Sequence, residues 1–424
     1  MLPWVRRLPF FYGWLVVAIA MLSASLGAGL NNISMGVVLK PLSLDLGWSR
    51  TVTAAAITAG TIAAGLLAPL FGHLADRFGP RLLIPAGAAC VGLLAVIASK
   101  ISEPWQFYAA YVPARALSET LMAGVVPITA VANWFHKKRP RAIGMVVMAI
   151  PLGSSVLALF YQYLILRSGW RATFLALGVL LWLLVVIPGV VFLRRQPEDL
   201  GLIPDGGGEL TRDGNTPSRA PGIQDHGPEY SWQLRDAIRT ASLWLIIGTF
   251  TLWVIASGGI AFHLSAYLTD VGIAPALAAG ALSLFAFSGA FGNLLWGWAG
   301  ERVELRRLSA TVMLLSGAAV ALLIQARTPP IAFLVAALFG VTARGGSVFP
   351  QIMLARYFGR RSFGAISGFV DPFTKAGLGL GPLIAAAVFD RTGSYQGIFL
   401  IFIGMFLVAA FLIYLARRPE RPRL

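Results

Sequence analysis

Two cations lie where an apolar chain does not tolerate them without reason. Arg344 and Lys375 fall inside long hydrophobic stretches, and at bilayer depth a charge costs roughly 2.5 kcal/mol or more. Arg344 stands 13 residues before Tyr357, where its helix should reach the membrane edge. At about 1.5 Å per residue that places it roughly 20 Å deep. Gly345 and Gly346 beside it leave room for a ligand or another backbone, and a guanidinium offers a carboxylate two parallel donors that an ammonium cannot. The chemistry implied is recognition of an organic anion; the other reading is a structural ion pair with Asp371 or another acid. Lys375 lies 12 residues into the stretch that begins at Phe363, roughly 18 Å deep by the same rise. Asp371, four residues earlier on the same helix face, either pairs with it or takes up a proton when substrate arrives.

Further polar residues form a second tier. Arg115 and Glu119 are four apart in the fourth apolar stretch, so Arg115 either snorkels to the membrane edge or pairs with Glu119, and the deeper Glu119 is a second proton-coupling candidate. His263 is expected near the external mouth, as a pH-sensitive gate or a hydrogen-bonded packing residue. Tyr161, Gln162, Tyr267 and Gln351 are candidate lining residues of a polar pathway, and Asn31 and Asn32 lie in the outer part of the first apolar stretch.

The elements that hold these residues are membrane helices. The chain has 424 residues, 57% hydrophobic and 12% charged, with a mean hydropathy of +0.75, far too little charge for a soluble surface. Twelve apolar stretches are each long enough to cross about 30 Å of hydrocarbon, beginning near Tyr12, Thr51, Leu82, Trp105, Ala142, Ala172, Leu243, Pro275, Leu308, Ile331, Phe363 and Gly397. In hydrocarbon each must be helical to satisfy its own backbone. A Gly-, Pro- and charge-rich stretch at 194–240 separates six helices (1–193) from six (241–424), with Ser231 to Arg239 expected as a short surface helix.

The net charge of +16 reports topology rather than a nucleic-acid partner. With the N-terminus inside, 24 of the 34 Lys and Arg fall on the cytoplasmic side and eight on the external side, the positive-inside pattern. Both termini are therefore expected in the cytoplasm, and the first apolar run, too long for a signal peptide, is read as an uncleaved helix. The single Cys90 excludes internal disulfides and reads as a small buried residue. No Gly-rich phosphate loop ending in Lys-Ser or Lys-Thr and no metal-ligand spacing occurs, so neither an internal ATPase nor a metal centre is expected.

The two halves echo each other: Gly72 answers Gly297, Pro127 answers Pro350 and Gly169 answers Gly393, at offsets of 225, 223 and 224. Parallel repeats of this kind imply a pseudo-twofold axis along the membrane normal and a binding site between the halves near mid-membrane. Gly72-His73-Leu74-Ala75-Asp76-Arg77-Phe78-Gly79-Pro80-Arg81 resembles the signature loop between helices 2 and 3 of the major facilitator superfamily. Gly297-Trp298-Ala299-Gly300-Glu301-Arg302 resembles its degenerate copy between helices 8 and 9. Gly72 would permit close helix packing, Asp76 would accept bonds from a helix N-terminus, and Arg77 and Arg81, with Glu301 and Arg302, would latch the halves.

Tyr12-Gly13-Trp14, Leu46-Gly47-Trp48-Ser49-Arg50, Asn133-Trp134-Phe135, Gly169-Trp170-Arg171 and Gln196-Pro197-Glu198-Asp199-Leu200-Gly201-Leu202 resemble the monocarboxylate transporter and oxalate/formate antiporter branch. The resemblance implies an all-α protein of twelve transmembrane helices in two six-helix bundles, not an enzyme, monomeric and resident in the inner (plasma) membrane. It implies secondary transport of a small mono- or dicarboxylate by alternating access, as a proton symporter or a carboxylate exchanger. No cofactor is expected beyond the proton or counter-substrate. Lys375 resembles the helix-11 lysine of oxalate/formate exchangers, whereas helix 8, reading Ala281-Leu282-Ser283-Leu284-Phe285-Ala286-Phe287-Ser288, lacks the substrate-binding arginine many such carriers hold there. Export of amphipathic compounds is the lesser reading, with Trp253, Phe285 and Phe287 as an aromatic cavity.

Overall fold

A computed structural model describes residues 10–135, 138–202, 232–358 and 363–419. Among them twelve helices are long and apolar enough to cross a membrane: α1 (Gly13–Leu46), α2 (Arg50–Ala75), α3 (Pro80–Ala98), α4 (Pro104–Trp134), α5 (Arg141–Ser168), α6 (Arg171–Phe192), α7 (Ala241–Asp270), α8 (Pro275–Gly300), α9 (Leu305–Ile324), α10 (Pro329–Phe358), α11 (Ile366–Thr392) and α12 (Gln396–Leu415). Turn chemistry sets the ends. Gly47, Gly169 and Gly393 take positive φ where the chain reverses after α1, α5 and α11, a region open to glycine. Pro104, Pro275 and Pro329 open α4, α8 and α10 at positions where no N–H is needed.

The helices form two six-membered bundles, α1–α6 and α7–α12. The face with the start of α1 and the end of α12 is called the terminal face below, and its opposite the distal face. Aliphatic side chains such as Leu66, Val156, Leu294 and Leu400 point outward from the bundles, as a lipid-facing surface requires. Cys90 is exposed on that surface rather than buried: the helix that carries it packs through Gly87, Ala88 and Gly92 instead.

Three helices are interrupted in mid-span. In α1, a tight turn at Ala28–Leu30 breaks the helix, and Asn31 restarts it as an N-cap whose Oδ1 accepts from the N–H groups of Ile33 and Ser34 at 3.0 and 3.1 Å. In α4 and α10 a π-helical turn replaces the regular ladder, at Ser118–Met122 and at Gly340–Arg344. The second begins 222 positions after the first, so the break itself repeats between the halves. A π turn frees backbone groups and re-aims side chains, and it is frequent at functional sites. Arg344 ends one such turn and Glu119 lies inside the other.

Of the connecting stretch 194–240, the described parts are a one-turn helix at Pro197–Leu200 and the short helix Leu234–Ala237. The latter is docked beside the second bundle by Trp232, whose N–H donates to Phe358 O at 3.0 Å and whose ring packs edge-on against Phe358. Residues 203–231 lie outside the described part.

Candidate functional site

The halves meet along α1 with α7, α2 with α11 and α5 with α8. Gly36 of α1 lies so close to Phe262 O that a Cβ would approach it to 2.5 Å, Thr58 Oγ1 of α2 donates to Gly379 O of α11 at 2.6 Å, and Ser155 and Ser283 each donate to the other's carbonyl across α5 and α8, at 3.0 and 2.8 Å. Small residues allow this approach, and the hydroxyl bonds replace interactions that lipid cannot supply.

Toward the distal face the seam becomes ionic. Arg50 grips Asp270 with both terminal nitrogens, at 2.8 and 3.1 Å, and Lys40 reaches the same carboxylate at 2.7 Å. Arg50 also lies over the Phe389 ring at 3.8 Å, and Asp390 accepts from the N–H groups of Arg50 and Thr51 at 3.2 and 2.8 Å. His263 is fully buried behind this cluster. Its Nε2 is 3.0 Å from Pro382 O, an acceptor, so Nε2 carries the proton; Nδ1 then accepts from the Tyr395 hydroxyl at 2.8 Å, which in turn accepts from Arg50 Nη1 at 2.5 Å. His263 is thus a buried bracket behind the seam and not a residue at an open mouth. Asp270→Asn should weaken this lock, because two cations lose their common carboxylate. The expected result is faster labelling, by a membrane-impermeant maleimide, of a cysteine placed at Ser257 in a Cys90→Ser background; unchanged labelling would mean the cluster does not hold the distal side shut.

Near the terminal face the latch glycines are not packed: a Cβ on Gly72 or Gly297 would meet nothing within 4 Å. The close packing expected at Gly72 is therefore absent in this conformation. Arg77 lies over Phe78 and Arg302 over Trp298, at 5.3 and 4.0 Å, and Arg81 is exposed. The side chains of Asp76 and Glu301 lie outside the described part.

Between the seam and the terminal face lie two adjoining cavities that share Trp253, Val254 and Ser347 in their walls. The first, of about 210 Å³, is lined by Asn31, Asn32, Arg115, Trp253, Phe285 and Arg344, among others. The second, of about 330 Å³, is lined by Gln351, Ser367, Asp371 and Lys375. The ionic arrangement differs from the pairs that sequence spacing suggests. Lys375 does not pair with Asp371, which is exposed; its ammonium reaches across the halves to Glu119 Oε1. Arg115 Nη2 lies 3.1 Å from the other oxygen of Glu119 and is buried, so it pairs rather than snorkels. One carboxylate therefore holds two cations, one from each half. Arg344 has no ion pair among the described residues, and the pair with Asp371 is not formed.

Both arginines owe their places to glycines. A Cβ on Gly289 of α8 would lie 2.3 Å from Arg344 Cγ, and a Cβ on Gly60 of α2 would lie 2.7 Å from Arg115 Cγ. Gly289 follows Gly60 by 229 positions, and Arg344 follows Arg115 by the same 229, so each half seats an arginine of its fourth helix against a glycine of its second. Sequence reasoning missed Gly289. The available signal was Gly289-x-x-Gly292 in the helix that lacks the expected arginine. Gly289→Ala should push the Arg344 stem out of its seat and cut uptake about tenfold, by the 1–3 kcal/mol typical of overpacking, with the detergent-purified protein still folded and monodisperse. Wild-type uptake would mean that the seat is not needed.

The other sequence candidates divide. Asn31 lines the first cavity, but its oxygen caps the helix and its Nδ2–H donates to Ser154 Oγ at 2.7 Å, so its polar atoms are engaged. Tyr161 donates to Gly29 O at 3.2 Å and Tyr267 to Leu323 O at 3.1 Å; both are buried ties between helices, and neither they nor Gln162 line the two cavities. No cluster of three or more metal-ligating side chains occurs among the described residues.

Twelve membrane helices in two repeated bundles around a central charged cavity define a multi-pass membrane transporter. The sequence profile of the Major Facilitator Superfamily matches residues 14–289 and 259–424, and the chain belongs to that family. Its relatives include Monocarboxylate transporter 13 of Bos taurus, 25% identical over 94% of this chain and 87% of the relative, and the gallate transporter of Pseudomonas putida, 24% identical over 74% and 72%. Among solved structures, a bacterial homologue of the human lysosomal transporter Spinster, crystallised in an inward-facing and occupied conformation, superimposes with a TM-score of 0.71. It is 17% identical, with 96% of this chain and 97% of that chain covered.

Proposed function

We propose that the protein carries a small organic monocarboxylate across the inner membrane by alternating access, coupled to a proton. The observation that carries this reading is the charge arrangement of the cavity: Glu119 already occupies Arg115 and Lys375, and Arg344 is left without a carboxylate. A cation in a low-dielectric cavity is costly until an anion joins it. A substrate carboxylate satisfies Arg344 through two parallel N–H···O bonds. The relatives named for monocarboxylates and for gallate support a carboxylate substrate.

In this reading the terminal face is cytoplasmic, as the Lys and Arg distribution indicates, and the ionic seam closes the external side. Substrate enters or leaves through the terminal face, and the halves then rock about the central site until the seam parts. Glu119 supplies the coupling. Ionised, it ties α4 to α11 across the halves; protonated, it releases Lys375 and Arg115, so the tie loosens and a second cation is free to approach the substrate. One proton then moves with one carboxylate. The test is uptake by proteoliposomes of labelled mono- and dicarboxylates, with and without an imposed pH gradient. Accumulation of monocarboxylates driven by an acid exterior is expected. Movement of no carboxylate would overturn the reading, and uptake that depends only on internal counter-carboxylate would replace symport by exchange.

A further inference from the structure

On the outer side of the first bundle, where α3 and α6 face lipid, lies a groove of about 410 Å³ that the transport path does not use. Phe78, Leu82, Pro85 and Ala89 line it from the side of α3, and Val186 and Val190 from α6. A Cβ on Gly189 would lie 2.8 Å from Pro85 Cγ, so the helices touch at the floor, while the exposed Phe78, Leu82 and Val190 stand as rims. The inner end is shut: Trp182 Nε1–H donates to Ala89 O at 3.1 Å, and beyond it a Cβ on Gly178 would lie 2.7 Å from Gly92 O. From Pro80 to Ala89 the groove runs about 14 Å at about 1.5 Å per residue, half of a hydrocarbon core of about 30 Å. It is one leaflet deep.

The outer end, at the terminal face, is cationic. Arg81 lines the groove and is exposed, and Arg77 lies over the Phe78 ring at 5.3 Å. Neither has an ion pair among the described residues. The stem of Arg195 crosses the same rim, its Cγ 3.2 Å from where a Cβ on Gly79 would stand. No acidic side chain lines the groove. The second bundle treats the equivalent place differently: Arg306, 225 positions after Arg81, is held by Glu304 at 2.7 Å, and the same carboxylate takes Arg307 at 2.7 Å. A repeat that neutralises its rim in one half leaves it charged in the other.

We infer that this groove holds one anionic phospholipid from the leaflet at the terminal face, an acyl chain against Leu82, Pro85 and Ala89 and the phosphate on Arg81. Basic pockets between membrane helices select acidic headgroups, and each methylene taken against an apolar wall adds to the hold. The dimensions argue for a lipid: a partner's spanning helix needs the full thickness of the core, whereas this groove stops at Trp182. A free phosphate would leave the apolar walls unused. The site stands apart from the central cavity and does not depend on the carboxylate reading.

The experiment titrates the full-length, delipidated protein in detergent with palmitoyl-oleoyl phosphatidylglycerol or phosphatidylcholine, counting bound lipid by native mass spectrometry. The first phosphatidylglycerol should bind at least fivefold more tightly than phosphatidylcholine, the gain from one arginine near the surface. Arg81→Gln should cut that preference about fivefold. Ala86→Phe, at an exposed position of the groove wall, keeps the charge and fills the space, so it should weaken the first phosphatidylglycerol as well; it also serves if Arg81→Gln fails to fold. Arg306→Gln, the equivalent position in the second bundle, should leave the preference unchanged. Equal binding of the two lipids would overturn the inference, and so would a phosphatidylglycerol preference untouched in both groove variants. Displacement of the bound lipid by glycerol 3-phosphate at equal concentration would make this a free-anion site and not a lipid site. A dimer that forms without lipid and that Ala86→Phe breaks would give the groove to a second copy of the chain.

Discussion

Arg344→Ala is expected to weaken carboxylate uptake at least tenfold while leaving the empty protein at least as heat-stable as the parent. The two halves of that result have one cause. In the empty cavity the half-buried guanidinium has no carboxylate among the described residues, so its removal takes away a partly desolvated charge that no ion pair offsets. With substrate bound, the same guanidinium is the partner of the carboxylate, and losing a hydrogen bond to a charged group costs about 1.5–3 kcal/mol, between about tenfold and a hundredfold in affinity. Arg344→Lys keeps the charge but not the two-pronged fork, so an intermediate loss is expected, seen mainly as a raised apparent KM. Uptake by proteoliposomes and thermal unfolding in detergent check the two predictions separately. Wild-type affinity in both variants would remove Arg344 from the site, and a marked loss of stability in Arg344→Ala would show that it pairs with something in the empty state.

Glu119→Gln is expected to uncouple transport from the pH gradient. Glutamine cannot ionise, so it mimics the protonated residue permanently: Arg115 and Lys375 are released, and no proton is taken up or lost in the cycle. Substrate exchange across the membrane should persist while accumulation against a gradient under an acid exterior disappears, which counterflow and pH-driven uptake measure side by side. Stability should move in the direction opposite to Arg344→Ala. Two cations lose their shared carboxylate, and removing one member of a buried pair costs on the order of 3 kcal/mol. A Glu119→Gln, Lys375→Gln double variant should lose less than the two single variants together, because the singles each count the broken tie. Strict additivity, or intact proton-driven accumulation in Glu119→Gln, would place the coupling elsewhere, with Asp371, which lines the second cavity, the next acid to test.

Much of the architecture was legible from local chemistry. Segment length and apolarity determine a membrane helix without help from the rest of the chain, because hydrocarbon forces each segment to satisfy its own backbone. Near-constant spacing of Gly72 with Gly297 and of Gly169 with Gly393 revealed the repeat, since glycines and turns are punctuated by backbone geometry that is local too. The same rule exposed Arg344 and Lys375: a cation in an apolar helix is conspicuous in one dimension. Their partners were not. Sequence spacing offered Asp371 to both, four residues from Lys375 on one face of α11. The structure instead brings Glu119 of α4 to Lys375, 256 residues away along the chain. Which carboxylate a cation meets is decided by how the halves are docked, through Gly36 on Phe262 and the reciprocal Ser155–Ser283 bonds, and no periodicity encodes that.

The polar candidates divide for the same reason. Asn31 and Asn32 are neighbours of one residue type, yet the turn at Ala28–Leu30 uses the first as a helix cap and leaves the oxygen of the second without a partner. By itself the sequence determined twelve helices, their repeat and the existence of buried cations, because each follows from the energy of a single segment in lipid. The tertiary structure alone decided that Glu119 gathers two of those cations, that Gly289 seats the third, and that Arg344 faces the cavity without a carboxylate, because pairing across helices is a property of packing between segments and not of any one of them.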